Sequence, residues 1–146
     1  MPLDPSFVGR SWPALTYTVG REKVREFARA VGAADPVHTD VEAARAAGHT
    51  DVVAPPTFPV VFTWTATREV VDDPALGLDF TRVVHRDQSV ELHRPVVAGD
   101  ELTTVVSVDA IKELAGNDVV TFRCDVTDPD GVTVLVSTAT LVGRAG

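Results

Sequence analysis

The sequence predicts an α+β domain in which helices pack on one face of an antiparallel sheet. Apolar residues recur at helical spacing in the first half of the chain, whereas apolar and polar residues alternate in the second half. Short turns rich in Gly, Pro, Asn and Asp separate the alternating segments. Because such turns join neighbouring strands in opposite directions, we expect the second half to form an antiparallel sheet.

Three helices are predicted in the first half. The segment 21–31 carries apolar residues on one face and ends before Gly32, which suits the left-handed conformation of a helix C-cap. A short alanine-rich helix is predicted for about 40–47. The segment 57–71 follows a proline-rich entry and is apolar on nearly all sides. A helix of this kind must be buried on most sides, so we expect it to lie at the centre of the domain.

Five strands are predicted, at 14–19, 83–93, 102–108, 119–127 and 132–142. The fourth of them has the cleanest alternation, and the residues that share its apolar face are Val120, Phe122, Cys124 and Val126. In the last strand the residues predicted to share a face are Val132, Val134, Val136 and Val142. A strongly curved antiparallel sheet wrapped around one apolar helix is the hot-dog arrangement, and this order of elements favours it.

Composition and charge exclude several classes of function. The chain has 146 residues, which fits one domain spanning 1–146, and its 45% hydrophobic and 23% charged residues are ordinary for a globular protein. A formal net charge of -8 disfavours a nucleic-acid partner or an anionic membrane surface. The sequence has no signal-peptide pattern and no apolar run of roughly 18 residues, so we expect a cytoplasmic protein without membrane insertion.

The sequence predicts neither a metal site nor a cofactor. Cys124 is the only cysteine, so no internal disulfide can form, and its place in an apolar alternation predicts a buried side chain rather than a nucleophile. His38 and His49 lack a third metal ligand nearby in the sequence. We therefore expect a protein that works without a bound metal or organic cofactor.

The segment 31–40 contains the histidine best suited to chemistry. His38 lies on a loop that holds a proline, and a histidine on a rigid loop can act as a general base near neutral pH. Asp35 lies three positions earlier and could orient the ring or pair with its charge if the loop turns. Alternatively, Asp35 caps a turn and His38 forms a local hydrogen bond. Spacing alone favours this second interpretation.

The same segment resembles the motif of MaoC-like dehydratases and hydratases: Gly-Asp-x-Asn-Pro, a hydrophobic residue, His and, two places later, an acidic residue. The residues that match it are Gly32, Pro36, Val37, His38 and Asp40. Further segments that resemble the family are 21–27, 43–49, 53–59, 84–88 and 93–100. The resemblance covers nearly the whole chain. It is closest to FAS1-like dehydratase N-terminal domains, including the substrate-binding subunit of the two-subunit (3R)-hydroxyacyl carrier-protein dehydratase.

This resemblance implies the hot-dog fold and a syn elimination of water from a 3-hydroxyacyl thioester of coenzyme A or acyl carrier protein, or the reverse hydration. His38 would take the α-proton, an aspartate would handle the hydroxyl group or water, and backbone N–H groups at the start of the central helix would polarise the thioester carbonyl. The residues expected to bind the substrate are Pro56, Thr57, Phe58, Phe62 and His85.

One position departs from the family motif. Ala33 stands where the family has its catalytic aspartate, and Asp35 stands where it has asparagine. Either Asp35 reaches into the site from two residues away, or this domain supplies an acyl-binding tunnel to a competent partner. The second explanation is favoured, because the displacement moves a carboxylate by several ångströms and errors of even ~1 Å are costly in catalysis. Association into a homodimer or a heterodimer would also cover the open edges of the sheet.

A thioesterase is a further alternative, because a fold does not determine a reaction. A hot-dog thioesterase would need a carboxylate on or beside the central helix, but residues 57–68 contain none and Glu69 comes near the helix end. This absence argues against thioesterase activity. On the strand at 83–93, His85 and Asp87 share one face and could line a pocket mouth or a dimer seam, although exposed strand polarity explains them equally well.

Overall fold

The computed structural model describes residues 2–144, so the predicted domain limits at 1 and 146 lie outside the described residues. The helices are α1 (Arg21–Val31), α2 (Val41–Ala46) and α3 (Val60–Val71). The strands are β1 (Leu15–Thr18), β2 (Val83–Leu92), β3 (Glu101–Leu114), β4 (Asn117–Thr127) and β5 (Thr133–Gly143). Single turns of 3-10 helix occupy Pro5–Phe7, Pro36–His38 and Phe80–Arg82.

The strands form one sheet in the order β1-β3-β4-β5-β2, and each neighbouring pair is antiparallel. Strands β3, β4 and β5 form the centre of the sheet, while β1 and β2 form its two edges. Helix α3 packs against β3 and β4, so it lies on one face of the sheet. The predicted α+β class is therefore confirmed.

The core lies between α3 and the inner face of the sheet. Alternate residues of β3 and β4 are buried, and those residues are Leu102, Thr104, Val106, Val108, Val120, Phe122, Cys124 and Val126. Burial of each large apolar side chain contributes about 1.5–3 kcal/mol. The alternation predicted for the fourth strand is thus confirmed, including the buried position of Cys124.

Two groups of side chains fill this core. The Phe58 cluster surrounds the beginning of α3 and consists mainly of Val19, Val24, Val52, Phe58, Phe62, Leu102 and Leu135. The Phe122 cluster surrounds the second half of α3 and consists mainly of Leu3, Ala66, Val70, Val106, Val120, Phe122 and Leu141. The two ends of the same helix therefore pack against different parts of the sheet.

The predicted phase of the last strand is wrong for most of its length. The buried residues of β5 are Val134, Leu135, Ser137, Ala139 and Leu141. Val126 of β4 pairs with Leu135, whereas Thr127 pairs with Thr133, so Val134 is an extra residue on β5. Such a bulge exchanges the two faces of the strand beyond it. Val132 precedes the bulge outside the strand and is 60% exposed.

Two predicted boundaries also differ. Helix α3 begins at Val60 rather than at residue 57, because residues 57–59 form a turn in which the Phe58 N–H donates to Pro55 O. Strand β3 continues to Leu114 rather than ending near residue 108. Its last residues are exposed and pair with β4 beyond the core, so hydrogen bonding continues after the apolar alternation has stopped.

Helix α3 is less enclosed than its composition predicts. Its buried side is lined by Phe62, Thr63, Ala66, Thr67, Val70 and Val71. Thr65 and Glu69 are exposed, and Trp64 is half-buried. The helix therefore has an open side within the described residues, where a cavity or a partner can approach it.

Candidate functional site

The turn that carries His38 is shaped by its own sequence. Helix α1 stops at Gly32, which has a φ of 71° and lets the chain reverse. Pro36 then opens the 3-10 turn, whose N-cap is Asp35: its carboxylate accepts a 3.1 Å hydrogen bond from the Val37 N–H. Asp35 is exposed, so its carboxylate serves the turn rather than an enclosed pocket.

The His38 ring is held by a residue fifteen positions away. Its Nδ1 lies 2.6 Å from the carbonyl oxygen of Val53. A carbonyl can only accept, so the neutral ring carries its proton on Nδ1 and presents a lone pair on Nε2. Nε2 makes no hydrogen bond within residues 2–144, and the ring is half-buried. His38 is thus oriented as an acceptor of one proton.

The segment 53–59 leads from this histidine into α3. It is anchored by two backbone hydrogen bonds, from Val53 N to Val37 O at 2.9 Å and from Ala54 N to Val96 O at 2.8 Å. The prolines in this segment have no N–H, and the Phe58 N–H is already used. The Thr57 N–H makes no hydrogen bond within the described residues. It is therefore the donor in this turn that a ligand oxygen could use.

The nearby carboxylates do not join His38. Asp35 caps its own turn, and Asp40 caps α2 by accepting from the Glu42 N–H at 2.9 Å. Ala33, at the position of the family's aspartate, lines an open groove of about 430 Å³ together with Ala28, Arg29, Gly32, Ala34 and Thr39. Of the two interpretations of Asp35, the geometry therefore favours the local cap.

The residues predicted to bind substrate fall into two places. Pro56 and Thr57 are exposed at the entry to α3, while Phe58 and Phe62 are buried just behind them. His85 is exposed on β2, where its ring stacks on Trp64 at 5.3 Å and its Nε2 lies 3.0 Å from Asp87 O. The first four residues therefore lie around the beginning of α3, and His85 lies against the side of that helix.

Tyr17 is a residue of this region that sequence reasoning missed. Its ring stacks on Phe62 at a centroid distance of 5.1 Å, and burial raises the pKa of its hydroxyl group. Leu15 and Tyr17 are the inward-facing residues of β1, an alternation that could have identified them. Beside them lies a cavity of about 390 Å³, lined by Leu15, Thr16, Tyr17, Lys23, Val61, Phe62, Thr65, Glu69 and Thr104.

The structure gives Cys124 a place in the core and shows no metal site or membrane helix among the described residues. Cys124 is buried, burial raises the pKa of its thiol, and its Sγ lies 3.4 Å from the Thr67 hydroxyl group. Within residues 2–144 no three His, Cys, Asp or Glu side chains are grouped so that they could hold a metal ion. No helix among the described residues is long and apolar enough to cross a membrane.

The sheet order and the histidine turn beside the helix entry are features of a hot-dog domain of the dehydratase type. The chain belongs to the family described as "FAS1-like, dehydratase domain region", which matches residues 6–136. A UPF0336 protein of Streptomyces griseus is 56% identical over 146 residues, and the match covers 99% of this chain and 97% of that protein. A UPF0336 protein of Saccharopolyspora erythraea is 53% identical over 145 residues, covering 99% of this chain and 93% of its own.

Solved structures confirm the predicted hot-dog fold and the resemblance to MaoC-like dehydratases. A chain of the C-terminally truncated HadBC (3R-hydroxyacyl-ACP dehydratase) complex from Mycobacterium tuberculosis superposes with a TM-score of 0.82 at 34% identity, covering 91% of this chain and 93% of that chain. A MaoC-like dehydratase superposes with a TM-score of 0.88 at 37% identity, covering 97% of this chain but 43% of the other. More than half of that longer chain therefore has no counterpart here.

Proposed function

We propose that this chain is the acyl-binding subunit of a (3R)-hydroxyacyl-thioester dehydratase or enoyl-thioester hydratase, and that a second hot-dog chain supplies the catalytic groups. The observation that carries this proposal is the local use of Asp35, whose carboxylate accepts from the Val37 N–H in its own turn, next to an alanine at position 33. A hydro-lyase of this class works with a base and an acid together, and only the histidine is in place here.

The chemistry explains why one histidine is insufficient. In the dehydration direction a base takes the α-proton while an acid protonates the departing hydroxyl group, which leaves as water as the double bond forms. His38 Nε2 can accept one proton, but within residues 2–144 no carboxylate forms a hydrogen bond with the ring, and that of Asp35 accepts from the Val37 N–H instead. The Thr57 N–H can donate one hydrogen bond to the thioester oxygen, where two donors stabilise such an oxyanion better than one. These features support binding of the thioester more strongly than its turnover by this chain alone.

The edge strand β2 is the surface that we assign to the second chain. It has ten residues, pairs with β5 on one side and has no strand partner on the other within residues 2–144. Its exposed apolar side chains include Val84 at 50% and Leu92 at 38%. A long unpaired edge is a ready template for another strand. The HadBC neighbour was solved as a complex, which supports a hot-dog partner, and the placement of that partner at β2 rests on the unpaired edge.

A second candidate is hydration by this chain alone, with His38 as the general base. The hydrogen bond from Nδ1 to Val53 O favours it, because it holds the ring in the tautomer that a base requires. In this second candidate the substrate is the same acyl thioester, and the two candidates differ in where the second catalytic group comes from.

Hydration of crotonyl and longer enoyl thioesters separates the two candidates. The purified chain is assayed alone and with a hot-dog chain from the same cell that carries the complete Gly-Asp-x-Asn-Pro-x-His motif. We expect no hydration by the chain alone, hydration by the pair, and no effect of His38→Ala on the pair. Coenzyme A and carrier-protein thioesters are compared to identify the carrier.

Activity of the isolated chain would contradict the first candidate if it fell about 10²–10⁴-fold in His38→Ala, the range for loss of a general base. His49→Ala is the matched control, because that histidine lies near the end of α2 and its side chain makes no hydrogen bond within the described residues. If Asp35→Ala also lowered the hydration activity of the isolated chain, Asp35 would be a catalytic group that acts in place of the family's aspartate.

A further inference from the structure

The cavity between β1 and α3 has mostly apolar walls. Its volume is about 390 Å³, which lies within the range of roughly 300–1,000 Å³ for small-molecule sites. Leu15 and Tyr17 face it from the strand, and Val61 and Phe62 face it from the helix. Its charged lining residues, Lys23 and Glu69, are exposed, so they belong to its rim. Walls of this composition suit a hydrocarbon chain rather than a charged ligand.

Aromatic rings separate this cavity from the entry to α3. Phe58, next to Thr57, is fully buried, and its ring lies 6.4 Å from that of Phe62 one turn further along. Phe62 is 4% exposed and stacks on Tyr17 at 5.1 Å, with an angle of 22° between the ring planes. Phe62 is therefore both a member of the Phe58 cluster and a wall of the cavity.

This position makes Phe62 the boundary between two spaces. On one side lies the helix entry, where the Thr57 N–H is available to a thioester oxygen. On the other side lies empty volume that is already present without any substitution. The rim of the cavity at Lys23 and Glu69 is open to solvent, but a hydrocarbon chain that follows the buried side of α3 from Thr57 meets the Phe62 ring before it can reach the cavity.

We propose that Phe62, held by its stack on Tyr17, sets the length of the acyl chain that this subunit accepts. A short chain that follows the buried side of α3 ends against the ring, and a longer chain on that path enters the cavity only when the ring is removed or turned aside. This inference rests on the proposed acyl-binding function. It adds to that function a residue that discriminates between substrates that differ in the number of methylene groups.

The test compares binding of acyl-pantetheine thioesters of increasing chain length, because pantetheine is common to coenzyme A and carrier protein. Titration calorimetry is performed on the full chain, alone and with its hot-dog partner, for wild type and Phe62→Leu. We expect the variant to gain affinity for longer chains, by about fourfold for each methylene newly buried, while short chains gain nothing. The maximum of the affinity profile therefore moves to longer chains.

Phe122→Leu is the matched control, because it removes the same atoms from a fully buried ring in the Phe122 cluster, which does not line this cavity. It should lower the melting temperature as Phe62→Leu does and leave the chain-length profile unchanged. Tyr17→Phe keeps the stacked ring and should also retain the wild-type profile.

The outcomes separate this inference from the function on which it rests. If wild type binds acyl-pantetheine and Phe62→Leu has the same length profile, the inference is wrong and the proposed function stands. A shift of equal size in Phe122→Leu would also overturn it, because loosened packing would then be the cause. If neither protein binds any thioester, alone or with the partner, the proposed function fails and the inference fails with it.

Discussion

Helix α3 begins among polar groups that lack partners and ends among polar groups that have them. At its beginning, His38 Nε2 and the Thr57 N–H make no hydrogen bond within the described residues. At its end, Asp72 accepts from Arg68 at 2.9 Å, and Asp73 Oδ2 accepts from the Trp12 indole at 2.7 Å. Both ends are packed on apolar clusters of similar kind.

The difference indicates which end serves a ligand. A half-buried polar group usually has a partner, so Nε2 of His38, which has none within the described residues, marks a place where a ligand can supply the bond. Thr57 is exposed, and its N–H is therefore accessible to a ligand as well. The paired groups at the other end fasten the N-terminal segment to the helix and stabilise the fold. We therefore assign binding to the beginning of α3 and stability to its end.

The largest expected effects come from the two cluster centres. Phe58→Ala and Phe122→Ala each remove a fully buried ring, so each should lower the free energy of unfolding by about 3–5 kcal/mol. Urea unfolding measures both losses. The comparison predicts that Phe58→Ala alone also weakens binding of acyl-pantetheine under conditions where both variants are folded. If both variants bound acyl-pantetheine equally weakly, binding could not be assigned to the beginning of α3 rather than to its end.

Replacing each of two buried threonines by valine should change the free energy of unfolding in different directions. The Thr67 hydroxyl group, in the second half of α3, donates to Thr63 O at 2.8 Å. The Thr104 hydroxyl group has no partner in the part of the chain that the structure describes, and its residue is 2% exposed. Thr67→Val should cost about 1 kcal/mol of unfolding free energy, and Thr104→Val should be neutral or stabilising by up to about 1 kcal/mol. Thermal unfolding at matched pH measures the pair. A large loss in Thr104→Val would show that its hydroxyl group has a partner after all.

Part of the loss of stability at low pH should come from Asp73, just after the end of α3. The hydrogen bond from the Trp12 indole, followed by that from the Ala75 N–H, lowers the pKa of Asp73 in the folded protein. A carboxyl whose folded pKa is lowered contributes stability above its unfolded pKa of about 3.9, and this contribution is lost as the pH falls through the folded value. Trp12→Phe should therefore flatten the decline of the melting temperature below about pH 4. An unchanged decline would contradict this role of the indole.

Local patterns predicted most of the fold because they depend on near neighbours. The alternation of Val120 and Phe122 needs only a pleated strand with one buried face, and it is confirmed. The phase of β5 could not be obtained in this way, since the bulge at Val134 arises from pairing with Val126 and Thr127 on another strand. The start of α3 was misplaced because Val60 N and Val61 N donate to Thr57 O and Phe58 O, three residues back, so residues 57–59 form a tighter turn than an α-helix.

The site was less predictable because its contacts join distant segments. Spacing alone favoured a local cap for Asp35, whereas the family resemblance kept a catalytic role open, and the bond to the Val37 N–H agrees with the cap. The orientation of His38 depends on Val53, and the Phe62 ring stacks on Tyr17, from a strand 45 positions earlier in the chain. Neither pair has a signature in local sequence. His38 and the proline-rich segment 53–59 were nevertheless identified as candidates from their residue types alone.

Binding at the beginning of α3 is tested most directly by following backbone and imidazole nitrogen resonances by NMR while acyl-pantetheine is added to the full chain with its hot-dog partner. We expect the Thr57 amide resonance to shift as its N–H gains an acceptor, with smaller shifts at His38 and Phe62, and the resonances of Asp73 and Ala75 at the other end of α3 to stay unchanged. Saturable shifts confined to the C-terminal end of α3, with the Thr57 amide unchanged, would contradict this expectation.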